Sequence, residues 1–374
     1  MIEKYLPDVC TIQYGFPFDS AQFSTYEGMP LIRIRDVLRG YSETFTTEKY
    51  KEEYIVYQND LLIGMDGEFN IAKWGKTPAL LNQRVCRLIP LSDLVDKNYL
   101  FYFMPSALKR IEEKTPFVTV KHLSAKELNK IKIPLPSLDE QRRIAAILDK
   151  VTDLINKRRA QLDKLDLLVK SRFVEMFGTE YEFRRWPCGK VADVADVCVG
   201  VVIKPTQYYA EEGIKAFRSL NIGPMDVKDN DWVYFSQEGH LKNKKSVIHK
   251  GDVLVVRSGA PGVACVATEQ YDGCNAVDII IARPDANKID PTFLAMFTNL
   301  PHGMNQIRER TGGAAQQHFN VGGYKALTLI MPPLDLQKQF AHFFEQTRKI
   351  KLTIQQSLDE LGMLKQALMQ DYFG

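Results

Sequence analysis

Two long segments of the chain carry apolar residues at alternating spacings of four and three. In the first segment the apolar stripe consists of Ile144, Leu148, Val151, Ile155, Leu162, Leu165 and Val169. In the second segment it consists of Phe340, Phe344, Ile354, Leu358, Leu361 and Leu368. Polar residues interrupt both stripes at the same spacing: Arg158 and Arg172 in the first, and Thr347, Lys351 and Lys365 in the second. A mean spacing of about 3.5 residues is typical of a coiled-coil seam. The pattern predicts two helices of about 38 residues, each about 57 Å long at about 1.5 Å per residue.

The first of these helices has a recognisable start. Pro134 and Pro136 precede Ser137 and Asp139, both of which are suitable helix caps. A core helix of a compact domain would give a similar stripe, but average helices have only about a dozen residues. The two stripes could be buried against each other or against a partner protein, and we favour pairing within the chain.

The two helical segments are copies of each other. Pro136, Leu138, Asp139 and Gln141 recur 196 positions later as Pro332, Leu334, Asp335 and Gln337. At the same offset, Phe177–Gly178 recurs as Phe373–Gly374. Shared ends together with a shared helical phase indicate an internal duplication rather than a chance alignment.

The duplication extends upstream, with small shifts in offset. His122 corresponds to His318 at an offset of 196, and Asn59–Asp60 corresponds to Gly251–Asp252 at 192. At an offset of 185, Asp8, Gly15 and Arg33 correspond to Asp193, Gly200 and Arg218. Identities between these anchors are sparse. The chain is therefore expected to consist of a variable half, a repeated segment, a second variable half and the second copy of the segment.

Each variable half mixes the two kinds of secondary structure. Short β-type runs are predicted at residues 31–34, 60–63, 85–89, 253–256 and 278–282. Helices are predicted at residues 99–113 and 291–310. The sequence thus predicts an α+β fold with two globular units, followed in each case by a long helix. The predicted boundaries are 1–133, 134–178, 179–330 and 331–374.

Composition limits the class of protein without identifying it. The chain has 374 residues, 45% hydrophobic and 25% charged, which is ordinary for globular proteins of more than one domain. The net charge of +3 is compatible with a local basic surface. Six scattered cysteines favour reduced thiols in a cytoplasmic protein. No signal-peptide core and no long apolar run are present, so no membrane association is expected.

Signatures of catalysis are absent from the sequence. It contains no Walker loop, no nucleotide-binding glycine fingerprint and no nucleophile elbow. The six histidines have no metal-ligand spacing. Glu112, Glu113 and Lys114 resemble the end of a nuclease motif, but a surface charge run explains them better. We therefore expect a protein that is not an enzyme, with no metal and no cofactor of its own.

Polar residues at matching places in the two halves suit contacts with DNA. The candidates are Arg33, Arg35, Lys121, His122, Arg218, Asn221, Gln316, Gln317 and His318. Arginine can bind guanine through two hydrogen bonds or bind a phosphate, and the amides of Gln and Asn match the major-groove edge of adenine. Any one of these residues could equally be an ordinary surface side chain, and the two histidines could serve as caps or core residues. Repeat-equivalent placement is the reason to consider them together.

The helix start and its duplication carry a resemblance to a known family. Residues 133–141 read Ile-Pro-Leu-Pro-Ser-Leu-Asp-Glu-Gln, and the first helix ends Phe-Val-Glu-Met-Phe-Gly at 173–178. Together with the second copy at 332–374, they resemble the specificity subunit of type I restriction–modification systems. The second copy departs at Leu336, where the first has Glu140, so a shared role for that acid is not expected.

This resemblance implies a fold and a function. The two variable halves would be target-recognition domains, each recognising one part of a bipartite double-stranded DNA target. The two helices would pair antiparallel and act as a spacer. Two DNA methyltransferase subunits would bind the assembly, and restriction subunits could join. S-adenosylmethionine, ATP and Mg²⁺ would belong to those partners and not to this chain.

Two alternatives stay open at this point. The chain could be the recognition subunit of another nuclease–methyltransferase with a bipartite site. It could also be a coiled-coil scaffold with no role in nucleic-acid binding. Salt-dependent affinity for DNA separates the two classes, because phosphate contacts release counterions and a scaffold makes none.

Overall fold

The chain forms two compact units, and each contains part of both long helices. The computed structural model describes residues 2–75, 78–114, 121–179, 181–311 and 318–374. Unit 1 consists of Met1–Ala160 and Gln355–Gly374, and unit 2 of Gln161–Ile354. The sheet-rich units and the long helices confirm the predicted α+β fold. The predicted domain boundaries divide the chain into consecutive segments, whereas each compact unit combines two separate segments. The boundaries therefore stay predictions.

Unit 1 begins with a series of short strands and ends with a helical region. Its strands are β1 (Ile2–Tyr5), β2 (Cys10–Tyr14), β3 (Phe23–Ser24), β4 (Met29–Ile32), β5 (Phe45–Thr46), β6 (Ile55–Val56), β7 (Leu61–Gly64), β8 (Asn70–Lys73), β9 (Ala79–Leu81), β10 (Val85–Pro90) and β11 (Lys132–Leu135). Its helices are α1 (Leu6–Val9), α2 (Ile34–Arg39), α3 (Lys97–Lys114), α4 (Ala125–Asn129) and the start of α5 (Leu138–Phe177).

Unit 2 has a similar order of elements. Its strands are β12 (Cys188–Lys190), β13 (Ala195–Val199), β14 (Tyr209–Ala210), β15 (Ile214–Phe217), β16 (Ile222–Gly223), β17 (Asp226–Val227), β18 (Val233–Phe235), β19 (Val253–Val256), β20 (Ala264–Val266), β21 (Asn275–Ala276), β22 (Ile279–Pro284) and β23 (Thr328–Ile330). Its helices are α6 (Val191–Val194), α7 (Gln237–Lys242), α8 (Pro291–Asn299), α9 (Pro301–Thr311), α10 (Val321–Lys325) and the start of α11 (Leu334–Phe373).

The two units share their sheet topology. Unit 1 has a four-stranded sheet of order β2-β10-β7-β8, and unit 2 has the corresponding sheet β13-β22-β19-β20. A second sheet in each unit contains one parallel pair, β4 with β9 in unit 1 and β15 with β21 in unit 2. Each unit also has a two-stranded sheet, β1-β11 or β12-β23, while unit 2 has in addition the sheet β16-β17, and its second sheet has four strands where that of unit 1 has five. The duplication that the sequence predicts is therefore a duplication of topology.

In unit 1 the start of one long helix and the end of the other share a core. Ile144 and Leu148 of α5 are buried in the same apolar cluster as Phe373 of α11. The Phe373 ring centroid lies 5.3 Å from that of Tyr99 in α3. Both α5 and α11 have 40 residues, in agreement with the lengths that the apolar stripes predict.

In unit 2 the opposite ends of the same two helices meet. Phe173 and Phe177 of α5 are buried with Phe340 of α11, and the ring centroids of Phe173 and Phe340 are 5.2 Å apart. Lys351 Nζ of α11 lies 2.5 Å from Asp166 Oδ1 of α5. In each unit, then, the start of one helix packs against the end of the other, which is antiparallel pairing within the chain.

The repeated glutamines connect each long helix to the globular part of its unit. The Gln141 amide nitrogen donates to the Pro136 carbonyl, and its oxygen accepts from Asp96 N at 2.9 Å. Gln337 repeats this arrangement with the Pro332 carbonyl at 2.8 Å and Asp290 N at 2.9 Å. Asp96 caps the N-terminus of α3, and Asp290 caps the N-terminus of α8. The repeated motif is therefore explained by a buried hydrogen-bond junction.

Gln337→Ala is expected to destabilise the protein by about 2–3 kcal/mol. The Gln337 side chain is fully buried, and its removal leaves the Asp290 N–H and the Pro332 carbonyl without their partner. Gln346→Ala, on the exposed side of the same helix, is the control and should cost less than about 0.5 kcal/mol. Urea unfolding of both variants tests this, and equal losses would contradict the proposed junction.

The repeat-equivalent glycines mark a close backbone approach. A Cβ at Gly15 would lie 1.9 Å from the carbonyl oxygen of Asn82. A Cβ at Gly200 would lie 2.4 Å from the carbonyl oxygen of Ala276. Any side chain would push the strand ends apart, so both copies retain glycine for the same steric reason.

Two details of the predicted secondary structure are wrong. The β-type run predicted at 31–34 ends at Ile32, since Asp36 accepts a hydrogen bond from Arg33 N at 2.9 Å and a helix starts there. Arg33 and Arg35 therefore do not share a strand. The single helix predicted at 291–310 is divided into α8 and α9 at Pro301, which has no N–H to continue the first helix.

Candidate nucleic-acid interface

An open groove on unit 1 contains two of the predicted DNA-binding residues. The groove has a volume of about 520 Å³. It is lined by Phe18, Ser20, Phe23, Arg33, Ile34, Arg35, Asn82, Gln83 and Arg84, and we call it the arginine groove. Its charged lining residues are three arginines, and none of the described lining residues is acidic. An anion or a base edge rich in acceptors fits such a surface.

Two of the arginines are placed by the start of helix α2. The buried Asp36 carboxylate accepts from Arg33 N and lies 3.9 Å from Arg35 Nε. Gly40 ends the helix with a φ of 72°. Both arginine side chains are exposed, and Arg35 Nη2 lies 3.4 Å from Thr44 Oγ1. The cap therefore directs the chain so that two exposed cations line the groove.

The third arginine lies on the turn between β9 and β10. Gln83 N donates to the Phe16 carbonyl at 2.9 Å, and Met65 N donates to the Arg84 carbonyl at 2.9 Å. Arg84 has a φ of 71°, in the left-handed region. For a residue with a side chain this conformation costs about 1–2 kcal/mol. Backbone hydrogen bonds from two different segments thus hold a strained turn at the groove.

The Arg84 side chain belongs to a three-residue cluster. Its Nη1 lies 3.2 Å from Asp66 Oδ2, and Asp66 Oδ1 lies 2.5 Å from Nδ1 of His122. The side chains of Arg84 and His122 are 54% and 49% exposed, whereas that of Asp66 is 19% exposed. The predicted residue His122 therefore contacts Asp66, which in turn holds an arginine of the groove.

The second predicted histidine has an equivalent place in unit 2. His318 Nδ1 lies 3.0 Å from Ser258 Oγ, and Ser258 occupies the position that Asp66 has in unit 1. The residue after each histidine donates its N–H to the corresponding strand end: Leu123 to Met65 and Phe319 to Arg257. The repeat-equivalence of the two histidines thus extends to their surroundings.

Unit 2 has a different surface at the place of the arginine groove. The turn between β21 and β22 is one residue shorter and contains Val277 and Asp278. Asp278 has a φ of 49° and forms an ion pair with Arg257. The position that corresponds to Arg35 in the 185-residue offset is Leu220, whose side chain is 39% exposed. The same topology therefore presents three groove arginines in unit 1, whereas the equivalent positions of unit 2 include Leu220 and an arginine, Arg257, that is paired with Asp278.

The remaining predicted residues have partners within the protein or lie outside the described part. Lys121 Nζ donates to the Glu112 carbonyl at 3.0 Å, and Arg218 forms an ion pair with Asp231 at 3.3 Å. Asn221 is fully buried, and its amide donates to the Asn230 carbonyl at 2.8 Å. A base contact by Asn221 would require this loop to open. Gln316 and Gln317 lie outside the described residues.

Sequence analysis missed Gln83, Arg84 and Asp66. The parallel pairing of β4 with β9 brings Gln83 and Arg84 to Arg33, and the antiparallel pairing of β7 with β10 brings Asp66 to Arg84. A polar triplet, Asn82–Gln83–Arg84, directly before a predicted strand was the available signal.

Metal sites and membrane spans are two further kinds of feature that the described part of the chain could contain. There, no three His, Cys, Asp or Glu side chains come together as metal ligands. The described helices include none with the length and hydropathy of a membrane span.

Comparison with known proteins finds specificity subunits of type I restriction enzymes as relatives of this chain. The model of the type I restriction modification DNA specificity domain matches residues 3–164. The chain is 28% identical over 400 residues to the type I restriction enzyme EcoBI specificity subunit of Escherichia coli, covering 98% of this chain and 84% of that protein. It is 22% identical over 414 residues to the StySPI specificity subunit of Salmonella potsdam, covering 98% and 86%.

The fold has a counterpart among solved structures. The S subunit of a type I restriction–modification system from M. genitalium matches with a TM-score of 0.64 at 13% identity, covering 100% of this chain and 96% of that chain. At this identity the likeness concerns the fold alone.

Proposed function

Because the chain is similar over almost its whole length to specificity subunits of type I restriction–modification systems, we propose that it is such a subunit, binds one bipartite DNA target and recognises each half with one unit. The observation that supports this most directly is the pair of units with one topology and different surfaces at the same place. Two copies of one binding surface would recognise two like half-sites. Two diverged surfaces suit two different half-sites.

Partner enzymes supply the chemistry in this proposal. Two DNA methyltransferase subunits bind the assembly, and restriction subunits join them. S-adenosylmethionine, ATP and Mg²⁺ are used by those subunits, while this chain determines where on the DNA they act. Arg33 and Arg35 contact DNA from unit 1, together with His122, which lies beside the groove residue Arg84. Lys121 donates to Glu112 and would have to leave that partner to join them. Arg218, Asn221, His318, Gln316 and Gln317 are the corresponding candidates in the second half.

DNA selection tests the proposal directly. The full chain, with its methyltransferase partner, is incubated with duplexes of random sequence at several salt concentrations, and the bound fraction is sequenced. We expect two short conserved blocks separated by a gap of unspecified bases, and an affinity that falls as salt rises. A scaffold protein would enrich no sequence and show no salt-dependent binding, and that outcome would reject the proposal.

The purified chain alone is expected to neither methylate nor cleave DNA. The sequence has no motif for a cofactor or an activated nucleophile. Transfer of labelled methyl groups from S-adenosylmethionine, and nicking of supercoiled plasmid with ATP and Mg²⁺, measure the two activities. Adding the methyltransferase subunits should restore methylation, which serves as the positive control. Turnover by the chain without partners would contradict this part of the proposal.

A further inference from the structure

The guanidinium of Arg84 differs from its neighbours in the arginine groove by how it is held. One of its nitrogens, Nη1, lies 3.2 Å from Asp66, which is itself 2.5 Å from His122. Arg33 and Arg35 have no such acidic partner at hydrogen-bond distance among the described residues, since Asp36 lies 3.9 Å from Arg35. Arg84 is therefore a pre-oriented side chain, whereas the other two are more freely placed cations.

The backbone adds to this pre-orientation. Arg84 adopts a φ of 71°, and both the strand end at Met65 and the segment at Phe16 hold the turn by hydrogen bonds. A non-glycine residue keeps a left-handed backbone conformation only where surrounding contacts hold it there. Such residues are concentrated at functional sites. Orienting a side chain before binding reduces the entropy that is lost on binding.

The Asp66 carboxylate also indicates what kind of group Arg84 binds. A carboxylate next to the guanidinium cancels most of its net charge and repels a phosphate anion. It does not repel the uncharged O6 and N7 acceptors of guanine, which match the two parallel N–H donors of arginine. The Nε and Nη2 donors of Arg84 have no partner in the part of the chain that the structure describes, so they are available for such a pair.

We infer that Arg84 is a specificity-determining residue that recognises one guanine in the half-site bound by unit 1, and that Asp66 is its positioning residue. This inference rests on the proposed function. Unit 2 has no arginine on the corresponding turn: Asp278 is there instead and is paired with Arg257. The guanine preference should therefore belong to one half-site only.

The test compares sequence selection by wild type, Arg84→Ala, Arg84→Lys and Arg33→Ala, each as the full chain with its methyltransferase partner. Wild type should select a guanine at one position that Arg84→Ala no longer distinguishes, with about a 10- to 100-fold loss of discrimination there. Arg84→Lys keeps the charge without the paired donors and should lose most of the same preference. Arg33→Ala should weaken binding to all sequences and keep the selected motif.

The positioning role of Asp66 has a separate readout. Asp66→Asn removes the carboxylate charge but keeps the size of the side chain. It should reduce guanine discrimination while raising affinity for unrelated duplexes, because Arg84 then becomes an unscreened cation. A purely structural role for Asp66 would lower affinity for all DNA instead.

Each outcome decides the inference. If wild type selects no motif, both the proposed function and the inference fail. If wild type selects a motif and Arg84→Ala selects it unchanged, only the inference fails. The inference also fails if Arg84→Ala weakens all sequences equally, which indicates a phosphate contact, or if the lost preference is for a base other than guanine.

Discussion

Deletion of one heptad, residues 157–163, from the first long helix is expected to destabilise the protein by more than about 5 kcal/mol. The deletion preserves the phase of the apolar stripe but shortens α5 by about 10 Å. Both ends of α5 share an apolar cluster with α11: Ile144 and Phe373 belong to one cluster in unit 1, and Phe173 packs on Phe340 in unit 2. A shortened α5 cannot keep both pairings with an α11 of 40 residues. Exposing a buried phenylalanine costs about 1.5–3 kcal/mol, and Phe173, Phe177, Phe340 and Phe373 are all buried.

The control for this deletion is its matched counterpart. Removing residues 351–357 from α11 as well shortens both helices equally, so both buried ends can pair again. The double deletion should therefore recover most of the stability that the single deletion loses, as measured by thermal unfolding. With its methyltransferase partner it should also select half-sites with a changed gap. Single and double deletions of equal stability would show that the two helices do not depend on each other.

Replacing Arg33 and Arg35 with alanine is expected to weaken DNA binding roughly 100-fold. Each hydrogen bond from a charged donor contributes about 1.5 kcal/mol or more, and about 1.4 kcal/mol corresponds to a factor of ten. Both side chains are exposed in the arginine groove and lie next to no acidic lining residue that the structure describes. If both contact phosphate, the slope of log affinity against log salt should fall by about 2.

Arg39→Ala is the matched control for the two groove arginines. Arg39 lies in the same short helix, forms an ion pair with Glu43 at 3.7 Å and is not among the residues that line the groove. Its replacement should change DNA affinity less than about twofold, because exposed ion pairs outside an interface contribute little. Affinity measured by fluorescence anisotropy at several salt concentrations compares the variants. An equal loss for Arg39→Ala would show that general charge, rather than the groove, attracts DNA.

Features that depend on short-range patterns were predictable from the sequence. The apolar stripes predicted two helices of the observed kind, because a helix buries residues at a spacing that the sequence itself displays. The duplication predicted that the units would share a topology, and residues such as Gln141 and Gln337 turned out to have the same partners. The duplication also marked His122 and His318 as equivalent, but their partners at equivalent positions, Asp66 and Ser258, became visible only in the structure.

The composition of the arginine groove was decided by the tertiary structure. Arg33 was predicted as a candidate, but its convergence with Arg84 requires the parallel pairing of β4 with β9, and the sequence between them contains no signal for that register. The break between α8 and α9 has a local cause, Pro301, which is visible in the sequence. The prediction gave more weight to the apolar periodicity and therefore joined the two helices.

The sequence by itself determined the two long helices and the duplication, and it carried the resemblance to a family, because each depends on the spacing or order of residues along the chain. Only the tertiary structure decided which polar side chains remain available for DNA. In the sequence, Lys121 and Asn221 were candidates of the same standing as Arg33. In the structure, Lys121 contacts Glu112 and Asn221 is buried in its own loop. The physical reason is competition: a polar group binds whichever partner the fold brings within hydrogen-bond distance, and strand pairing between distant residues determines that partner.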